Sequence, residues 1–506
     1  MTSTSEFSGA LERPGSRVMA VYLSVLVAMF MAALDMNIVI TALPTIAGDL
    51  GGVPLFGWVG AAYLLTTAAV SPFYGKLGDM YGRKSTLVAA IVLFLGGSLA
   101  CGAAWSMPTL IAARVLQGLG GGGLMVSVFA VIGDLFEPRQ RAKYQGYTTA
   151  VFAAASVIGP VIGGYITAYL GWRWIFFVNV PIGIALLAVL AVVMEGRHDG
   201  RHHHIDYAGG VLLAIATTAL VYWSDHALDS AGQGIWSIAL PLIVAVVIVL
   251  FVAVERRAAE PIVPLQLFRS RTLDLAVILS TISGATTLGL FFYAALYVQG
   301  LTGLSPAEVG MLFVPASVGS LATSMIAGNV VARTGRYKAF PVMSMALGAL
   351  AMMVFPVLGP QSPYWLIALL MGLWGASLGL SLQVLILAVQ NAAPRKDIGA
   401  ATGLVSLSRT VGASLGLALN GAVMTWALNR QQAGLPHDVA DKLPAGGLAA
   451  ASPHDLSALP AALRETALTA YSHGFDTVFL FVGGIFAVAT VIAILMPRVQ
   501  LPASRA

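Results

Sequence analysis

Fourteen long apolar runs set the strongest limit on what this chain can fold into. A helix needs about 20 mostly apolar residues to cross the hydrocarbon core of a bilayer, and the runs are close to that length. Only helices and closed barrels satisfy their backbone groups in lipid. The sequence therefore predicts an all-α polytopic membrane protein with 14 transmembrane helices. The runs lie near residues 18–43, 54–74, 86–104, 108–133, 145–167, 172–194, 208–224, 235–254, 273–298, 306–330, 338–358, 363–390, 398–427 and 473–496.

The composition excludes a soluble protein of this length. Charged residues make up 10% of the 506 residues, against about 25% in ordinary soluble domains. Two or three soluble domains would need more polar residues than this to cover their surfaces. The first run is too long for a cleavable signal peptide and leads directly into further spans. Cys101 is the single cysteine, so no disulfide can form within the chain, and we expect it to pack as a small apolar residue.

The lysines and arginines indicate how the bundle is oriented. If the N-terminus is cytoplasmic, 21 of the 27 basic residues lie on the cytoplasmic side and four on the outer side. The remaining two, Arg114 and Arg409, lie inside the bilayer. Basic residues collect in cytoplasmic loops, and one miscounted helix would move the later loops to the wrong side. The pattern therefore predicts that both termini are cytoplasmic.

A repeated glycine pattern indicates two related halves. Gly75-x6-Gly82-Arg83 follows the second run, and Gly328-x6-Gly335-Arg336 follows the tenth. Parallel halves are found among secondary transporters, with the substrate bound between them near the midplane. We predict a cytoplasmic tail at 1–16, a six-helix N-terminal half at 17–194, a linker with two extra transmembrane helices at 195–271, a six-helix C-terminal half at 272–497 that includes an outer loop at 428–472, and a cytoplasmic tail at 498–506.

Asp35 is the acid that the sequence places deep within a span. It lies 18 residues beyond Arg17, or roughly 27 Å along a helix. A carboxylate at that depth is costly and by default marks an ion pathway or proton relay; a structural ion pair is the alternative. Arg114 lies at a comparable depth in the fourth run. Because pairing and proton carriage are compatible, we predict that Asp35 and Arg114 couple transport to protons.

Two other polar residues inside the runs leave several roles open. Gln117 is one helical turn from Arg114 on the same face, where it could orient Arg114, contact a substrate or simply pack. Arg409 could pair with Asp35 across the halves, face a water-filled cavity or bind backbone carbonyls. None of the eight histidines lies deep within a run, since His473 stands at the first residue of the last one, and nothing matches the GxxxxGK[ST] phosphate loop. We therefore expect no metal site, no cofactor besides the proton gradient and no catalytic residues.

Several motifs together resemble those of the major facilitator superfamily. "GKLGDMYGRK" (75–84) resembles its loop between helices two and three, and "RVLQGLGGG" (114–122) its helix-four motif. "GPVIGG" (159–164) resembles the helix-five motif associated with antiporters. "LDMNIVITALP" (34–44) and "WRWIFFVNVPIG" (172–183) are similar to segments of the fourteen-helix drug:proton antiporter subfamily. In the first helix, Asn37 and Ile40 replace the subfamily's usual Thr and Asn, which leaves the substrate open.

The resemblance places residues 75–84 against the start of the span near residue 398. Asp79 would interact there with a helix N-terminus, which favours an acid by roughly 0.3–1 kcal/mol, and would link the halves on the cytoplasmic side. We expect Gly75 and Gly82 to allow a tight turn, and Arg83 and Lys84 to bind the anionic inner leaflet. A loop that only sets topology is the alternative. These five residues are called the gate loop below.

The helix-five motif has a second implied role. In the family it lies between the halves and hinders leakage, whereas ordinary glycine packing is the alternative for this chain. The motif's residues are Gly159, Pro160, Gly163 and Gly164.

These observations predict a proton-coupled antiporter that exports lipophilic, cationic drugs or toxic compounds by alternating access, with Asn37, Gln117 and Arg409 in the substrate cavity. The alternative within the same fold exports an endogenous lipid, siderophore or metabolite. A channel or a membrane-embedded enzyme would need a polar filter or a catalytic cluster, and neither is visible. The expected partners are small lipophilic substrates, protons and membrane lipids, with no nucleic acid. We expect a multi-pass protein of a bacterial inner membrane, with a periplasmic adaptor and an outer-membrane channel as partners if the cell is Gram-negative.

Overall fold

The computed structural model describes residues 15–50, 56–194, 206–226, 236–258, 261–302, 311–358, 362–443, 447–449, 451, 456 and 459–498. In this part of the chain a helix overlaps each of the predicted runs. Nine of the described helices are long and apolar enough to cross a membrane. The crossing of all 14 and the cytoplasmic side of the termini stay predictions. Most of both predicted tails lies outside the described residues.

The helices keep the order of the apolar runs, and the sixth run is divided between two of them. Their bounds are α1 Ser16–Leu50, α2 Phe56–Tyr81, α3 Arg83–Gly102, α4 Met107–Leu135, α5 Pro138–Tyr169, α6 Trp174–Phe177, α7 Asn179–Val193, α8 Tyr207–His226, α9 Trp236–Glu255, α10 Arg271–Thr302, α11 Val314–Thr334, α12 Ala339–Val354, α13 Tyr364–Ala392, α14 Ile398–Gln432, α15 His437–Ala440 and α16 Ala461–Ile494.

Local sequence signals fix some of these ends. The Ser106 side chain accepts from the backbone N–H of Thr109 and caps α4. Gly335 ends α11 with φ +69°, in the left-handed region that favours glycine.

Glycines on α4 bring its neighbours unusually close. A Cβ on Gly118 would lie 2.8 Å from the Tyr63 carbonyl oxygen of α2. A Cβ on Gly120 would lie 2.3 Å from the Phe94 nitrogen of α3. Small residues allow such backbone contact between helices in lipid. Gln117 of α4 therefore comes within hydrogen-bonding distance of Ser98 in α3, and Thr67 of α2 bonds the Gly118 carbonyl of α4.

The N-terminal helices α1–α7 meet the C-terminal helices α10–α14 through two main contacts, α2 with α14 and α5 with α11. Hydrogen bonds cross between these halves from Gln145 to Gln390 (2.8 Å) and from Gln383 to Thr149 (3.1 Å). Thr149 also bonds Ser324 at 2.8 Å. With a rise of about 1.5 Å per residue, these side chains lie within roughly 17 Å of one end of the bundle. We call this end, where the loops around residues 82, 137, 336 and 395 meet, the basic end. The bundle is closed there.

Of the two helices between the halves, α8 packs on the contact of α2 with α14, and α9 packs on α8. α8 contacts α9, α2 and α14, and Gly210 of α8 lies directly against the ring of Phe73 in α2. A side chain at residue 210 would overlap that ring, so the glycine allows the close approach. The division into two six-helix halves and a two-helix linker stays a prediction.

Candidate functional site

Asp35 is the centre of a buried polar network in the N-terminal half. Its Oδ2 accepts a hydrogen bond from Arg114 Nη1 at 2.6 Å. Its Oδ1 accepts from Gln117 Nε2 and from Asn179 Nδ2, both at 2.8 Å. None of these four residues is more than 2% exposed. Burying a charge is costly unless it is paired and hydrogen-bonded, and Asp35 meets both conditions.

Arg114 is held by α2 as well as by Asp35. Its Nε donates to the Val59 carbonyl at 3.2 Å, and its guanidinium lies 4.3 Å from the centre of the Tyr63 ring. That distance allows a cation–π interaction. The same Nη1 that binds Asp35 also donates to Gln117 Oε1 at 2.6 Å. Gln117 thus bridges acid and base and orients both. It is fully buried, so substrate contact by Gln117 is not available in this conformation.

Asn179 is the network member that the sequence analysis missed. It begins α7, after the short α6, and lies inside the quoted "WRWIFFVNVPIG" segment. A lone amide in that apolar run was the available signal. Its Nδ2 also lies 3.3 Å from Ser98 Oγ, which accepts from Gln117 at 2.8 Å. Its Oδ1 has no hydrogen-bond partner among the described residues. The network therefore holds one buried acceptor that is still free.

Gly97 explains how α3 reaches this network. A Cβ there would lie 2.4 Å from Gln117 Cα. Only a residue without a side chain lets α3 approach α4 closely enough for Ser98, the next residue, to bond Gln117. The polar network and the glycine packing of α4 are thus parts of one arrangement.

Asn37 and the helix-five motif meet inside the N-terminal half. Asn37 Nδ2 donates to the Ala33 carbonyl of its own helix at 2.7 Å. A Cβ on Gly159 would lie 2.6 Å from Asn37 Cβ, so this glycine allows α5 to approach α1. Gly163 is buried, Gly164 is exposed, and the side chain of Pro160 lies outside the described residues. The close contact of Gly159 is therefore with α1, not with the C-terminal half.

Asp79 of the gate loop lies at the first turn of α14, across the contact between the halves. Its Oδ1 accepts from the Gly399 N–H at 3.1 Å and its Oδ2 from the Ala400 N–H at 3.0 Å. The first N–H groups of a helix have no partner within it and favour a negative charge. The Asp79 side chain is only 3% exposed. It thus joins the two halves at the basic end.

The structure corrects the expectations for Gly75, Arg83 and Lys84 of the gate loop. Gly75 is not in a turn but inside α2, where a Cβ would lie 2.2 Å from the Gly399 carbonyl oxygen. Gly82 alone forms the break between α2 and α3, with φ +87°. Arg83 binds Asp79 at 2.5 Å and Asp134 at 2.7 Å. Its side chain is 11% exposed, so it pairs with acids of the protein where we expected lipid.

Lys84 also binds protein. Its Nζ donates to the carbonyls of Ala191 and Met194 at the C-terminal end of α7. A cation is favoured at that end of a helix. Lys84 and Arg83 thus connect the start of α3 to the neighbouring helices.

Arg409 lies apart from the Asp35 network. It is 11 residues into α14, or about 16 Å from the basic end, whereas Arg114 is seven residues from the opposite end of α4. Asp35 therefore pairs with Arg114 and not with Arg409. The Arg409 side chain lines a small cavity between the halves, together with Phe129 of α4 and Ser283 of α10.

Comparison with known proteins identifies the family. The profile of the Major Facilitator Superfamily matches residues 25–417. This chain belongs to the Major Facilitator Superfamily. It is 36% identical over 482 residues to the MFS-type transporter Rv1877 of Mycobacterium tuberculosis, covering 95% of this chain and 70% of the relative. It is 35% identical over 405 residues to the multidrug transporter protein MdtP of Bacillus subtilis, covering 79% and 74%.

Solved structures of the superfamily share the fold. The proton:xylose symporter XylE superposes with a TM-score of 0.63 at 14% identity, covering 96% of this chain and 98% of XylE. Identity this low supports the fold alone. Family, relatives and fold together make this chain a multi-pass membrane transporter and not an enzyme.

Proposed function

We propose that this superfamily member is a proton-coupled antiporter that exports lipophilic compounds across a bacterial inner membrane. The observation that carries the proposal is the fully buried Asp35, whose carboxylate is bonded by Arg114, Gln117 and Asn179. For stability alone, apolar residues would serve at least as well, because replacing a buried ion pair with well-packed apolar residues is often neutral or stabilising. MdtP, which is named a multidrug transporter protein, and a second Bacillus subtilis relative, multidrug resistance protein 3, support drug export.

The network suggests how Asp35 could take and release a proton. Arg114 favours the ionised carboxylate, so a shift of α4 relative to α1 would change the proton affinity of Asp35. A protonated Oδ1 would become a donor and would no longer accept from both amides. Rotation of the Asn179 amide would then present its free Oδ1 to that proton. The network can in this way satisfy both charge states with one side-chain rotation.

Alternating access would begin from a state like the one described. The basic end is closed by the hydrogen bonds of Asp79 to the first turn of α14 and by the glutamine contacts between the halves. Opening this side would require Asp79 to leave the α14 N-terminus. We propose that proton release from Asp35 and separation of Asp79 from α14 occur in the same rocking step.

The energy source is the direct test of this function. Purified protein in vesicles should export a compound from a panel of ethidium, tetraphenylphosphonium and neutral dyes when a proton gradient is imposed without ATP. One pH unit supplies about 1.4 kcal/mol, and each charge crossing 100 mV about 2.3 kcal/mol. Together they support a ratio of several hundredfold for one proton per neutral substrate. A protonophore should stop export, and export with ATP alone would overturn the proposal.

Replacing Asn179 with alanine should change the pH profile of transport. The variant removes a donor from the ionised Asp35 carboxylate and an acceptor from its protonated form. A hydrogen bond to a charged group is roughly twice as strong as a neutral one, so the ionised form loses more and Asp35 should hold its proton more tightly. We expect roughly tenfold slower export and an optimum displaced to higher pH. Asn37→Ala is the matched control, since Asn37 bonds only Ala33 of its own helix among the described contacts. Transport of both variants is compared across pH, and an unchanged optimum in Asn179→Ala would remove it from the proton step.

Replacing Asp79 with asparagine should weaken closure of the basic end. The variant keeps the size but loses the charge at the α14 N-terminus, worth about 1 kcal/mol and up to about 2 when partly buried. The open population should then rise roughly five- to thirtyfold. Spin labels at Glu137 and Arg336, both exposed across the α5–α11 contact, report the distance, since Cys101 is buried.

Asp134→Asn is the control for that experiment, because Asp134 binds Arg83 but makes no hydrogen bond or ion pair with α14 among the residues that the structure describes. It should leave the distance distribution close to that of the native protein. Equal distributions for Asp79→Asn and the native protein would reduce the gate loop to a topology signal.

The substrate within this function is a separate question. The sequence predicts cationic compounds, and an exporter of an endogenous lipid, siderophore or metabolite is the alternative within the same fold. The panel above, extended with native lipids, distinguishes the two. A periplasmic adaptor and an outer-membrane channel stay predictions for a Gram-negative source.

A further inference from the structure

Arg409 is a cation inside a predicted span, and the ion pairs among the described residues do not include it. The described ion pairs join Asp35, Asp79, Asp134 and Asp49 to other arginines. Within the described chain, Arg409 makes no ion pair and no side-chain hydrogen bond. It also keeps partial exposure, whereas Arg114 is 2% exposed and uses its donors on Asp35, Gln117 and Val59. A guanidinium has five N–H donors in a planar fork, and those of Arg409 remain available.

The lining of the cavity beside Arg409 combines hydroxyl groups with apolar side chains. Ser280 and Ser283 of α10 and Ser406 of α14 are the polar residues that line this cavity together with Arg409. Phe129 and Leu385 are among the apolar side chains that form the rest of the lining. Among the described residues of this lining there is no Asp or Glu. The free space is about 10 Å³ in this closed conformation, enough for one water molecule, so a substrate would fit only after the halves separate.

Close helix packing fixes Arg409 at this position. A Cβ on Gly284 of α10 would lie 1.9 Å from the Arg409 carbonyl oxygen. The backbones of α10 and α14 are therefore in close contact at this residue, and this contact places Ser280 and Ser283 of α10 in the lining of the cavity beside Arg409. The cation is part of a built interface between helices and not of a variable loop.

We propose that Arg409 binds the acidic group of an amphiphilic anion, so that this transporter accepts lipophilic carboxylates, sulfonates or phosphates. The fork of a guanidinium matches such oxyanions, often through two parallel hydrogen bonds. The hydroxyl groups of Ser283 and Ser406 can add donors, whereas that of Ser280 already donates to the Ala276 carbonyl at 2.7 Å. The apolar side chains of the lining take the rest of the molecule. This proposal rests on the proposed transport function and concerns the charge of its substrate. It differs from the cationic compounds that the sequence led us to expect.

Charge also determines how the membrane potential acts on export. If one proton enters for each monoanion that leaves, two positive charges move inward per cycle. An inside-negative potential of about 59 mV then raises the attainable ratio about a hundredfold, since one charge gives tenfold. With a monovalent cation no net charge moves, and the potential has no effect. For an anion carried without a proton, the same potential would raise the attainable ratio only about tenfold.

The test compares two probes that share a ring system and differ in one acidic group. 8-Anilino-1-naphthalenesulfonate carries a sulfonate, and N-phenyl-1-naphthylamine carries none. Binding is titrated with full-length protein in lipid nanodiscs, corrected with empty nanodiscs, and without a proton gradient. Arg409→Gln should weaken sulfonate binding at least tenfold and change amine binding less than twofold. Arg409→Lys should restore most of the sulfonate affinity. Arg333→Gln, which removes an exposed charge at the basic end, should change neither.

The outcomes separate this proposal from proton coupling. Equal weakening of both probes by Arg409→Gln, or unchanged sulfonate binding, would overturn the anion site whatever drives transport. If Arg409→Gln does not fold, the native protein still decides. 2-Naphthalenesulfonate should displace the bound probe at least tenfold better than 2-naphthylmethylammonium, and the reverse order would contradict the proposal. A tenfold potential effect in vesicles, in place of a hundredfold one, would retain the anion site and overturn proton antiport.

Discussion

Replacing Asp35 with asparagine should abolish uphill, proton-driven export while substrate exchange down its own gradient continues. Asparagine can still accept from Gln117 and Asn179, but it cannot ionise, so no proton is carried. We expect at least a hundredfold loss of gradient-driven export. Export into the acidic side and energy-independent exchange are measured on the same vesicles, so that loss of coupling is distinguished from loss of binding.

This variant also leaves the buried charge of Arg114 unpaired, which commonly costs about 3–5 kcal/mol. The matched control is Asp35→Asn with Arg114→Gln, which removes both charges. The double variant should recover insertion and exchange but not uphill export. The activity losses of the two single variants, added together, should exceed the loss of the double variant. Asp35 and Arg114 form one ion pair, so the effects of replacing them are not additive. Coupled uphill export by Asp35→Asn at the native rate would remove Asp35 from the proton pathway.

Replacing Gly75 with alanine should have the second largest effect, although it adds only one methyl group. That Cβ would lie 2.2 Å from the Gly399 carbonyl oxygen, and the opposing atom is backbone that cannot rotate away. The α2–α14 contact should therefore fail to close. We expect at least tenfold slower export and a shift toward the conformation open at the basic end, measured with the labels at Glu137 and Arg336.

Gly60→Ala is the control on the same helix, since a Cβ there would meet nothing within 4 Å. Helix propensity alone favours alanine over glycine by roughly 1 kcal/mol at both positions, so it predicts no loss for either variant. Normal export by Gly75→Ala would show that α2 and α14 can separate slightly without cost. Impaired export by both variants would assign the effect to α2 and not to its contact with α14.

The sequence could predict features that depend on local composition or on depth along one helix. Apolar length located a helix at every run, and counting residues brought Asp35 and Arg114 to a similar depth. The glycines of α4 indicated close helix contacts. Helix ends were less predictable: α16 begins at Ala461, whereas the apolar run begins near 473, because hydrogen bonding continues a helix beyond the bilayer where hydropathy gives no signal.

Features that depend on the pairing of distant segments could not be predicted in the same way. Asn179 and Ser98 are 81 residues apart, and no pattern in either segment names the other. Gly75 looked like a turn residue because it stands near charged residues, but its role depends on the backbone of Gly399 opposite it. Arg83 was assigned to lipid since the sequence does not show that Asp134 lies beside it.

Substrate-driven proton movement tests the central claim most directly. Vesicles containing purified protein and the pH dye pyranine, with no initial pH gradient or potential, receive an exported compound from outside. Antiport predicts that substrate entry drives protons out, so the interior becomes alkaline, and that a protonophore or Asp35→Asn abolishes this signal. Substrate entry without proton movement in the native protein, or an undiminished signal in Asp35→Asn, would contradict it.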